Sequence, residues 1–333
     1  MRAPIYLYKT EMSEKMSRKI SFVIPCYGSG KSILGVVGEI DSLMELHSDD
    51  SYEIVLINDY SPDNVWEVIS GLAEKRKDIK AISFAKNFGQ HAALMAGYKN
   101  ADGDIIVSLD DDGQTPAERT FDLIDKLDEG YDVVYARYYK LKETFWRRCG
   151  SWLSNKMAEI LIEKPKGILG SSFYVMKSFV AKEMLKYTNS YPFVGGLVFR
   201  STKSIANVYV EHRDRTDGES GYTFFKLLKL WMNGFTAFSV KPLRFSSLVG
   251  VICAIVGFVF GIITVIRKLL IPDISVGWSS TISIMLFIGG LIMLMLGMIG
   301  EYIGRIYISI NNAPQYVVRN TININEDNDD KTE

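Results

Sequence analysis

Short apolar runs alternate with amphipathic segments throughout residues 18–136. The apolar runs have the length of buried strands, and the segments between them have the 3.6-residue period of helices. The pattern predicts strands at 20–24, 53–57, 79–84, 105–109 and 133–135, and helices at 33–47, 65–75, 90–99 and 116–127. Strands that alternate with helices form a mostly parallel sheet covered on both faces, so this region is predicted to have an α/β fold.

Two long runs near the C-terminus, residues 245–266 and 274–300, contain no charged residue. At about 1.5 Å per residue each run is long enough to cross a hydrocarbon layer of roughly 30 Å. Two buried helices of a soluble protein are the alternative, but such helices seldom lack a polar stripe over this length. The pattern therefore predicts a transmembrane hairpin, with spans at about 245–266 and 276–300.

Positive charges flank this predicted hairpin unevenly. Those before the first span are Lys226, Lys229, Lys241 and Arg244, those after the second are Arg305 and Arg319, and the connecting loop has Arg267 and Lys268. Because cytoplasmic segments carry the excess of Lys and Arg, the bias predicts that both termini lie in the cytoplasm. Aromatic residues and lysines mix in residues 224–238, which predicts an amphipathic helix at the membrane interface.

Composition excludes some classes of protein. The net charge is −1, from 38 Lys and Arg against 39 Asp and Glu, whereas a nucleic-acid binder usually has a basic excess. The three cysteines, Cys26, Cys149 and Cys253, have no metal-ligand spacing, so a reducing compartment is expected.

Ligands of parallel α/β sheets bind beyond the carboxyl ends of the strands, so the residues after each strand carry the candidate chemistry. Residues 25–32, after the first strand, nearly match the phosphate loop of NTPases, but proline replaces its first glycine, which argues against that activity. Residues 58–64, after the second strand, form a polar turn in which Ser61 and Asp63 fit a helix N-cap. Asp59, at the strand's end, is better placed to accept a hydrogen bond from a nucleotide base.

Three consecutive acids, Asp110, Asp111 and Asp112, follow the fourth strand. Adjacent carboxylates repel one another, and a divalent cation such as Mg²⁺ or Mn²⁺ relieves that repulsion. Alternate residues of an extended segment face the same way, so Asp110 and Asp112 are predicted to bind the metal while Asp111 points elsewhere. A solvated acidic turn is the alternative interpretation.

Taken together, these segments resemble the family 2 glycosyltransferases of the GT-A fold, in the branch that glycosylates polyprenyl phosphate. The segments that carry the resemblance, in chain order, are Val23-Ile-Pro-Cys-Tyr27, Asn58-Asp-Tyr-Ser-Pro-Asp63, Lys86-Asn-Phe-Gly-Gln-His-Ala-Ala-Leu94, Asp110-Asp-Asp112 with Gln114 and Pro116, and residues 212–222. The resemblance implies a nucleotide-sugar site formed by Pro25, Tyr27, Asp59, Asn87, Asp110, Asp111 and Gln114. It also implies that Asp110 and Asp112 are catalytic through a bound Mg²⁺ or Mn²⁺.

The chain departs from the family pattern in three places. Residues 28–30 lack the acid that usually follows the first-strand tyrosine, and Asn58 replaces the first of two aspartates. Ser172 stands where many members carry an aspartate that is assigned as the catalytic base. A phosphate monoester is largely anionic at neutral pH, so an acceptor of this kind leaves little deprotonation for a base to perform. The catalytic role of Ser172 is therefore left open.

The resemblance implies transfer of one sugar, with inversion, from a nucleotide sugar to polyprenyl phosphate, with undecaprenyl phosphate as the expected lipid. A UDP-sugar is the expected donor, and the expected place is the cytoplasmic face of a bacterial inner membrane. The cations available for the acceptor or the diphosphate are Arg137, Arg147, Arg148, Arg213 and Arg215. Small-residue pairs such as Gly257 and Gly261 fit packing of the hairpin, and the resemblance also allows a homo-oligomer.

The predicted organisation has five parts. They are an N-terminal tail (1–17), a GT-A catalytic domain (18–215), an interfacial segment (216–244), a transmembrane hairpin (245–304) and a cytoplasmic acidic tail (305–333) that is disordered from Asn320 onward. Two rival functions stay open. A processive polysaccharide synthase would show a Q-x-x-R-W motif and more spans, and a membrane scaffold or lipid translocase with an inactive transferase domain is favoured only by Ser172.

Overall fold

The structure, a computed structural model, describes residues 17–138, 156, 159, 163–211, 241–270, 277–311 and 313–324. Its strands are β1 (Lys19–Cys26), β2 (Ser51–Asn58), β3 (Ile79–Phe84), β4 (Ile105–Ser108), β5 (Val133–Tyr138), β6 (Tyr174–Lys177), β7 (Ile205–Val210) and β8 (Val318–Ile322). Its α-helices are α1 (Ile33–Glu45), α2 (Val65–Lys75), α3 (Gln90–Lys99), α4 (Thr120–Asp128), α5 (Ser178–Leu185), α6 (Val194–Ser201), α7 (Lys241–Leu270) and α8 (Trp278–Ile310). A short 3₁₀ helix, Ala117–Arg119, precedes α4.

All of these strands belong to one sheet, in the order β7-β5-β6-β4-β1-β2-β3-β8. Strands β4, β1, β2 and β3 are parallel neighbours, whereas β6 is antiparallel to both β4 and β5. The predicted α/β architecture and the strands and helices predicted up to residue 136 are confirmed. The predicted helix at 116–127 begins as the 3₁₀ turn. Elements β6, α5, α6 and β7 follow in a region where the sequence pattern predicted none.

Helices cover both faces of the sheet, which explains why β1 is apolar at nearly every position. Ile20, Phe22 and Ile24 pack on one side with α1, α2 and α4, and Val23 packs on the other side with α3, α5 and α6. Helix α3 lies very close to the sheet. A Cβ atom at Gly97 would stand 2.2 Å from Val23 Cγ1, so only glycine allows this approach without a shift of the side chain.

A buried carboxylate, Glu53, joins β1, β2 and β3 near their amino ends. It accepts hydrogen bonds from Ser21 Oγ and the Asp102 N–H, both at 2.6 Å. Lys19 Nζ and Lys80 Nζ lie 2.9 and 3.1 Å from its other oxygen. Burial alone would raise the pKa of Glu53, but these hydrogen bonds and the charge of Lys80 outweigh it and hold the pKa below its ordinary value.

Replacing Glu53 by glutamine is expected to destabilise the protein by about 2 kcal/mol at pH 7, because charge-assisted bonds are lost. A lowered folded-state pKa means that this stabilisation is present above the unfolded value of about 4.3 and is lost as the pH falls through the lower folded value. Urea unfolding of the two detergent-solubilised proteins between pH 3.5 and 7 should therefore show a difference in the free energy of unfolding between wild type and Glu53→Gln that becomes smaller in acid. The exposed Glu45→Gln is the matched control, and a gap that does not depend on pH would contradict the argument.

The two C-terminal helices, α7 and α8, overlap the predicted spans: α7 includes all of 245–266, and α8 begins two residues after the predicted start of 276–300. Within the described part of the chain, one stretch, Phe287–Gly304 in α8, is long and apolar enough to cross a membrane, and α7 contains a shorter apolar stretch, Leu248–Phe260. Many of their large apolar side chains are exposed, including Phe258 and Met285. Such a surface needs a cover other than water, and lipid provides one.

The prediction that the chain is disordered from Asn320 onward is wrong for its first residues, because residues 320–322 belong to strand β8. Strand β8 pairs antiparallel with β3 and becomes an edge strand of the catalytic sheet. Asn323 Nδ2 lies 2.6 Å from the Ala73 carbonyl oxygen and 2.8 Å from those of Arg76 and Ile79. The tail was misjudged because four of the five residues of β8 are exposed, so an edge strand of this kind has a polar sequence. Residues 325–333 lie outside the described residues.

Candidate active site

The loops that follow β1, β2, β3 and β4 meet at the carboxyl edge of the sheet. Their contacts come from residues far apart in sequence, and each loop is bonded to at least one other. This is the edge at which parallel α/β sheets bind their ligands. Most of the residues predicted for nucleotide-sugar binding lie on these four loops.

Asp59 links the loop after β2 to the loop after β3. Its carboxylate accepts hydrogen bonds from the N–H groups of Phe88 at 2.7 Å and Gly89 at 2.8 Å, and Asn87 Nδ2 donates to its carbonyl oxygen at 3.0 Å. Only 3% of Asp59 is exposed, and this burial raises its pKa, with the two N–H groups acting against the rise. Asp59 thus holds residues 87–89 in place through its carboxylate and its carbonyl oxygen, and the expected contact with a nucleotide base stays a prediction.

Asp110 and Asp112 lie at the end of β4, where the sequence predicts a metal pair. Asp110 is bonded through both oxygens, to Gln90 Nε2 at 3.1 Å and to the hydroxyl of Ser172. Burial raises the pKa of Asp110, the negative charge of Asp112 raises it further, and the bonds from Ser172 and Gln90 lower it. Asp112 is exposed, and its Oδ1 accepts from the Gln114 N–H at 3.0 Å.

Asp111 has different partners. Its Oδ2 accepts a hydrogen bond from the Tyr27 N–H at 2.8 Å, and its carbonyl oxygen accepts one from Ser32 Oγ at 2.7 Å. Burial raises the pKa of Asp111 to about 6, although the hydrogen bond from the Tyr27 N–H favours its charged form. The middle acid therefore joins the loop after β4 to the loop after β1.

The donor set suits a metal that is shared with a substrate. Within the described residues, no group of three or more His, Cys, Asp or Glu side chains gathers around a common point. Mg²⁺ is commonly held by one or two carboxylates, with substrate phosphates and water completing its shell. Asp110 and Asp112 fit that role as hard oxygen ligands.

The loop after β1 is fixed by the acidic turn after β2. Gly28 N–H donates to Ser61 Oγ and Gly30 N–H donates to Asp63 Oδ2, both at 2.8 Å. Asp63 also accepts from the Val65 N–H at 3.3 Å. The N-cap residue of α2 is Asn64, whose side chain makes no capping bond, so the predicted N-cap role of Ser61 and Asp63 is wrong. The contact between Asp63 and Gly30 was not predicted from the sequence. Because these loop N–H groups already have acceptors, they are not the free anion cradle of a phosphate loop.

Of the remaining predicted site residues, four are described by the structure and four are not. Pro25 is buried at the end of β1, and Tyr27 and Asn87 are exposed at the edge of the sheet. Arg137 lies on β5, with its guanidinium carbon 4.8 Å from the centre of the Tyr209 ring. The residues Arg147, Arg148, Arg213 and Arg215 lie outside the described part of the chain.

Two protein-family models match this chain, and several known proteins are similar to it over most of its length. The model of glycosyl transferase family 2 matches residues 21–185, and the model of the GtrB C-terminal hairpin matches residues 241–306. An uncharacterized glycosyltransferase of Bacillus subtilis (strain 168), YkcC, is 36% identical over 313 residues, which are 93% of this chain and 96% of that protein. The undecaprenyl-phosphate 4-deoxy-4-formamido-L-arabinose transferase of Yersinia pestis bv. Antiqua (strain Angola) is 32% identical over 308 residues, 92% of this chain and 94% of that protein.

The fold is also found among solved structures. Glucosyl-3-phosphoglycerate synthase from Mycobacterium tuberculosis, in complex with UDP, superposes with a TM-score of 0.50 at 17% identity, over 72% of this chain and 85% of that one. At this identity the likeness concerns the fold alone. The relatives, in contrast, match both the catalytic sheet and the C-terminal helices. The chain therefore belongs to the family 2 glycosyltransferases of the GT-A fold, in the branch that carries the GtrB-type C-terminal hairpin and includes undecaprenyl-phosphate sugar transferases.

Proposed function

We propose that this glycosyltransferase moves a single sugar from a nucleotide sugar to undecaprenyl phosphate, with inversion, at the cytoplasmic face of a bacterial membrane. The observation that carries the proposal is the joining of two features in one chain. A carboxylate pair, Asp110 and Asp112, lies at the ligand edge of the sheet, and the sheet is tied through β8 to an apolar hairpin. The name of the Yersinia relative, which covers both parts, supports undecaprenyl phosphate as the acceptor. A UDP-sugar is the donor class to test first.

The chain's own residues position the donor. Asp110 and Asp112 would hold Mg²⁺ or Mn²⁺, which when bound neutralises the diphosphate that leaves. Gln90 and Ser172 orient the Asp110 carboxylate. Asp59 holds residues 87–89 beside the donor. This arrangement aligns the anomeric carbon with the acceptor oxygen, and alignment of that kind accounts for a large part of the rate of bimolecular transfers.

The acceptor phosphate brings its own negative charge, so the protein must supply cations instead of a strong base. Arg137, Arg147, Arg148, Arg213 and Arg215 are proposed to bind that phosphate or the donor diphosphate, because the guanidinium fork matches phosphate oxygens. The hydroxyl of Ser172 donates a hydrogen bond to the Asp110 carboxylate. Ser172 is therefore proposed to position a metal-binding carboxylate, without a role in proton transfer.

Replacing Ser172 by alanine is expected to leave turnover within about tenfold of wild type at saturating Mg²⁺, because one hydrogen bond to Asp110 is lost. Loss of a true general base lowers turnover by about 10²–10⁴-fold.

Arg213→Ala should lower turnover more than Ser172→Ala does, by about 10- to 100-fold, because it removes a charge-assisted bond to a doubly anionic ligand. Initial rates against pH at saturating donor test both variants, and Ser172→Ala should keep any acid limb near pH 6 that wild type shows. A Ser172→Ala enzyme with intact donor binding and no turnover would contradict the positioning role.

The activity itself is tested with purified protein in vesicles that contain undecaprenyl phosphate. A panel of labelled UDP-, GDP- and dTDP-sugars is supplied, and the lipid is then extracted. Label in a monoglycosylated lipid is the expected result, whereas label in a polymer would indicate a processive synthase. Donor binding without labelled lipid, for every sugar in the panel, would favour the scaffold or translocase alternative.

The proposed orientation makes a separate prediction. With both termini cytoplasmic, a cysteine at Ser275 should react with an impermeant maleimide added to intact cells, in a variant whose Cys26, Cys149 and Cys253 are replaced. A cysteine added at the C-terminus is the control and should react only after the cells are opened. The reverse labelling pattern would invert the proposed topology.

A further inference from the structure

Tyr209 lies near the carboxyl end of strand β7. It is paired in register with Arg137 of the neighbouring parallel strand β5. The guanidinium carbon of Arg137 lies over the Tyr209 ring, 4.8 Å from its centre, which is the geometry of a cation–π contact. The tyrosine is 51% exposed, so its ring supports the arginine more than it fills the core.

On its other side, Arg137 is the neighbour of the metal-site residues. The Ala136 N–H donates to the Phe173 carbonyl oxygen at 2.9 Å, which extends the antiparallel pairing of β5 with β6 toward the ligand edge. The next residues in this register are Arg137 and Ser172, and residues directly opposite one another on paired strands share a face of the sheet. Ser172 in turn bonds Asp110. Asp110, Ser172, Arg137 and the ring that supports the arginine therefore form one row across the ends of β4, β6, β5 and β7.

The charge of Arg137 is available to a ligand. None of the ion pairs between described residues includes this half-buried arginine. Asp110 is two strands away in the row, which at about 4.8 Å per strand is roughly 10 Å between the two backbones. The N–H groups of a guanidinium lie in one plane, so a ring that holds this plane also sets the direction in which those groups point.

We propose that Tyr209 is a positioning residue, which holds the Arg137 guanidinium over its ring and directs the arginine N–H groups at the phosphate of the prenyl acceptor. This inference rests on the proposed function, in which Arg137 binds a phosphate. The acceptor phosphate fits this place because the donor diphosphate belongs with the metal at Asp110, on the far side of Ser172. Tyr209 acts on binding through Arg137 alone.

The test is calorimetric titration of the detergent-solubilised full-length protein with geranyl phosphate, a short prenyl phosphate, and separately with UDP and Mg²⁺. Tyr209→Leu should weaken geranyl phosphate binding by about three- to fivefold, the loss expected for one exposed cation–π contact. Tyr209→Phe keeps the ring and should stay within about twofold of wild type. The affinity for UDP should be the same in all three proteins. Tyr131→Leu is the matched control, because it removes a ring that lies 5.3 Å from Lys126 Nζ before the start of β5, and it should bind geranyl phosphate as wild type does.

A double variant separates positioning from a general disturbance of the sheet edge. Arg137→Ala should weaken geranyl phosphate binding by about tenfold or more, because a charge-assisted bond is lost. In the Arg137→Ala background, Tyr209→Leu should have no further effect, since the two residues act through one contact. A tyrosine with a merely structural role would instead add its own loss to that of the arginine.

The outcomes that would overturn the inference differ in what else they affect. If Arg137→Ala weakens geranyl phosphate binding and Tyr209→Leu does not, or if the two losses add, Tyr209 does not position Arg137 and the proposed function is untouched. If Tyr209→Leu weakens the binding of UDP in place of geranyl phosphate, the arginine serves the donor and the assignment to the acceptor is wrong. If wild type binds geranyl phosphate no more tightly than the uncharged alcohol geraniol, both the inference and the proposed phosphate acceptor are contradicted.

Discussion

Asp112→Asn should lower turnover by about 10²- to 10³-fold, because a metal that stabilises a leaving diphosphate contributes several kcal/mol to the transition state. Asparagine keeps the size of the side chain but removes its charge. Asp112 is the exposed member of the pair, and one of its oxygens already accepts from the Gln114 N–H. Asp110, the other member, has bonds to Gln90 and Ser172 on both oxygens and cannot supply the missing charge.

The measurement is the rate of labelled-lipid formation over a range of Mg²⁺ and Mn²⁺ concentrations. Asp125→Asn, an exposed change on helix α4, is the matched control and should behave as wild type. High Mn²⁺ should restore part of the activity of Asp112→Asn, since excess cation compensates for a weaker site. Full wild-type turnover in EDTA would show that the carboxylates serve another purpose.

The elements around the site were predictable because a two-sided parallel sheet produces a strong signal. Strand β1 is apolar at nearly every position and helix α2 has a regular polar face, so each was found within one or two residues of its ends. The position of Asp110 and Asp112 at the ligand edge was predictable because they follow a strand. Each of these signals is local, within a few residues of the chain.

The contacts that shape the site were not predictable in this way. Asp63 meets Gly30 across 33 residues, Ser172 meets Asp110 across 62, and Asp111 meets the Tyr27 N–H across 84. Nothing in the local pattern shows which polar side chain will find which backbone group once the loops converge. Asp63 was expected to cap a helix, whereas its carboxylate binds the Gly30 N–H and positions a neighbouring loop. The role of a polar residue depends on which distant residues the fold brings next to it. Membership of the hydrophobic core, in contrast, can be predicted from the local sequence pattern.

Strand β8 is an element of secondary structure that the local sequence pattern did not predict. Its sequence, Val-Arg-Asn-Thr-Ile, contains three polar residues, and it follows a span in a region rich in acids. As an edge strand it buries little surface, so its main stabilisation comes from backbone pairing, which leaves no hydrophobic pattern. Its position after the hairpin means that the chain leaves the catalytic domain, passes through α7 and α8, and returns to pair with β3.

Deleting residues 313–333 is therefore expected to destabilise the catalytic domain by about 4 kcal/mol or more, since each lost hydrogen bond contributes about 0.5–1.5 kcal/mol. The deletion removes the pairing of β8 with β3 and the bond from the Ala85 N–H to the Val317 carbonyl oxygen at 2.9 Å. It also removes the stacking of Tyr316 on Phe84, whose ring centres are 5.1 Å apart. A loss of this size is a large part of the 5–15 kcal/mol that typically holds a domain together.

The control is deletion of residues 325–333 alone, which keeps β8 and Asn323 and should leave the stability of wild type. A milder variant, Asn323→Ala, should cost about 2 kcal/mol, because it removes bonds to three carbonyl groups and places alanine at a φ of 60°. Thermal midpoints and limited proteolysis of the detergent-solubilised proteins measure all three. Phe84 ends β3 three residues before the segment 87–89 that Asp59 holds, so loss of β8 should weaken donor binding as well as stability. Equal midpoints for the two deletions would mean that β8 contributes nothing to the fold and that residues 313–333 behave as the tail that their sequence suggested.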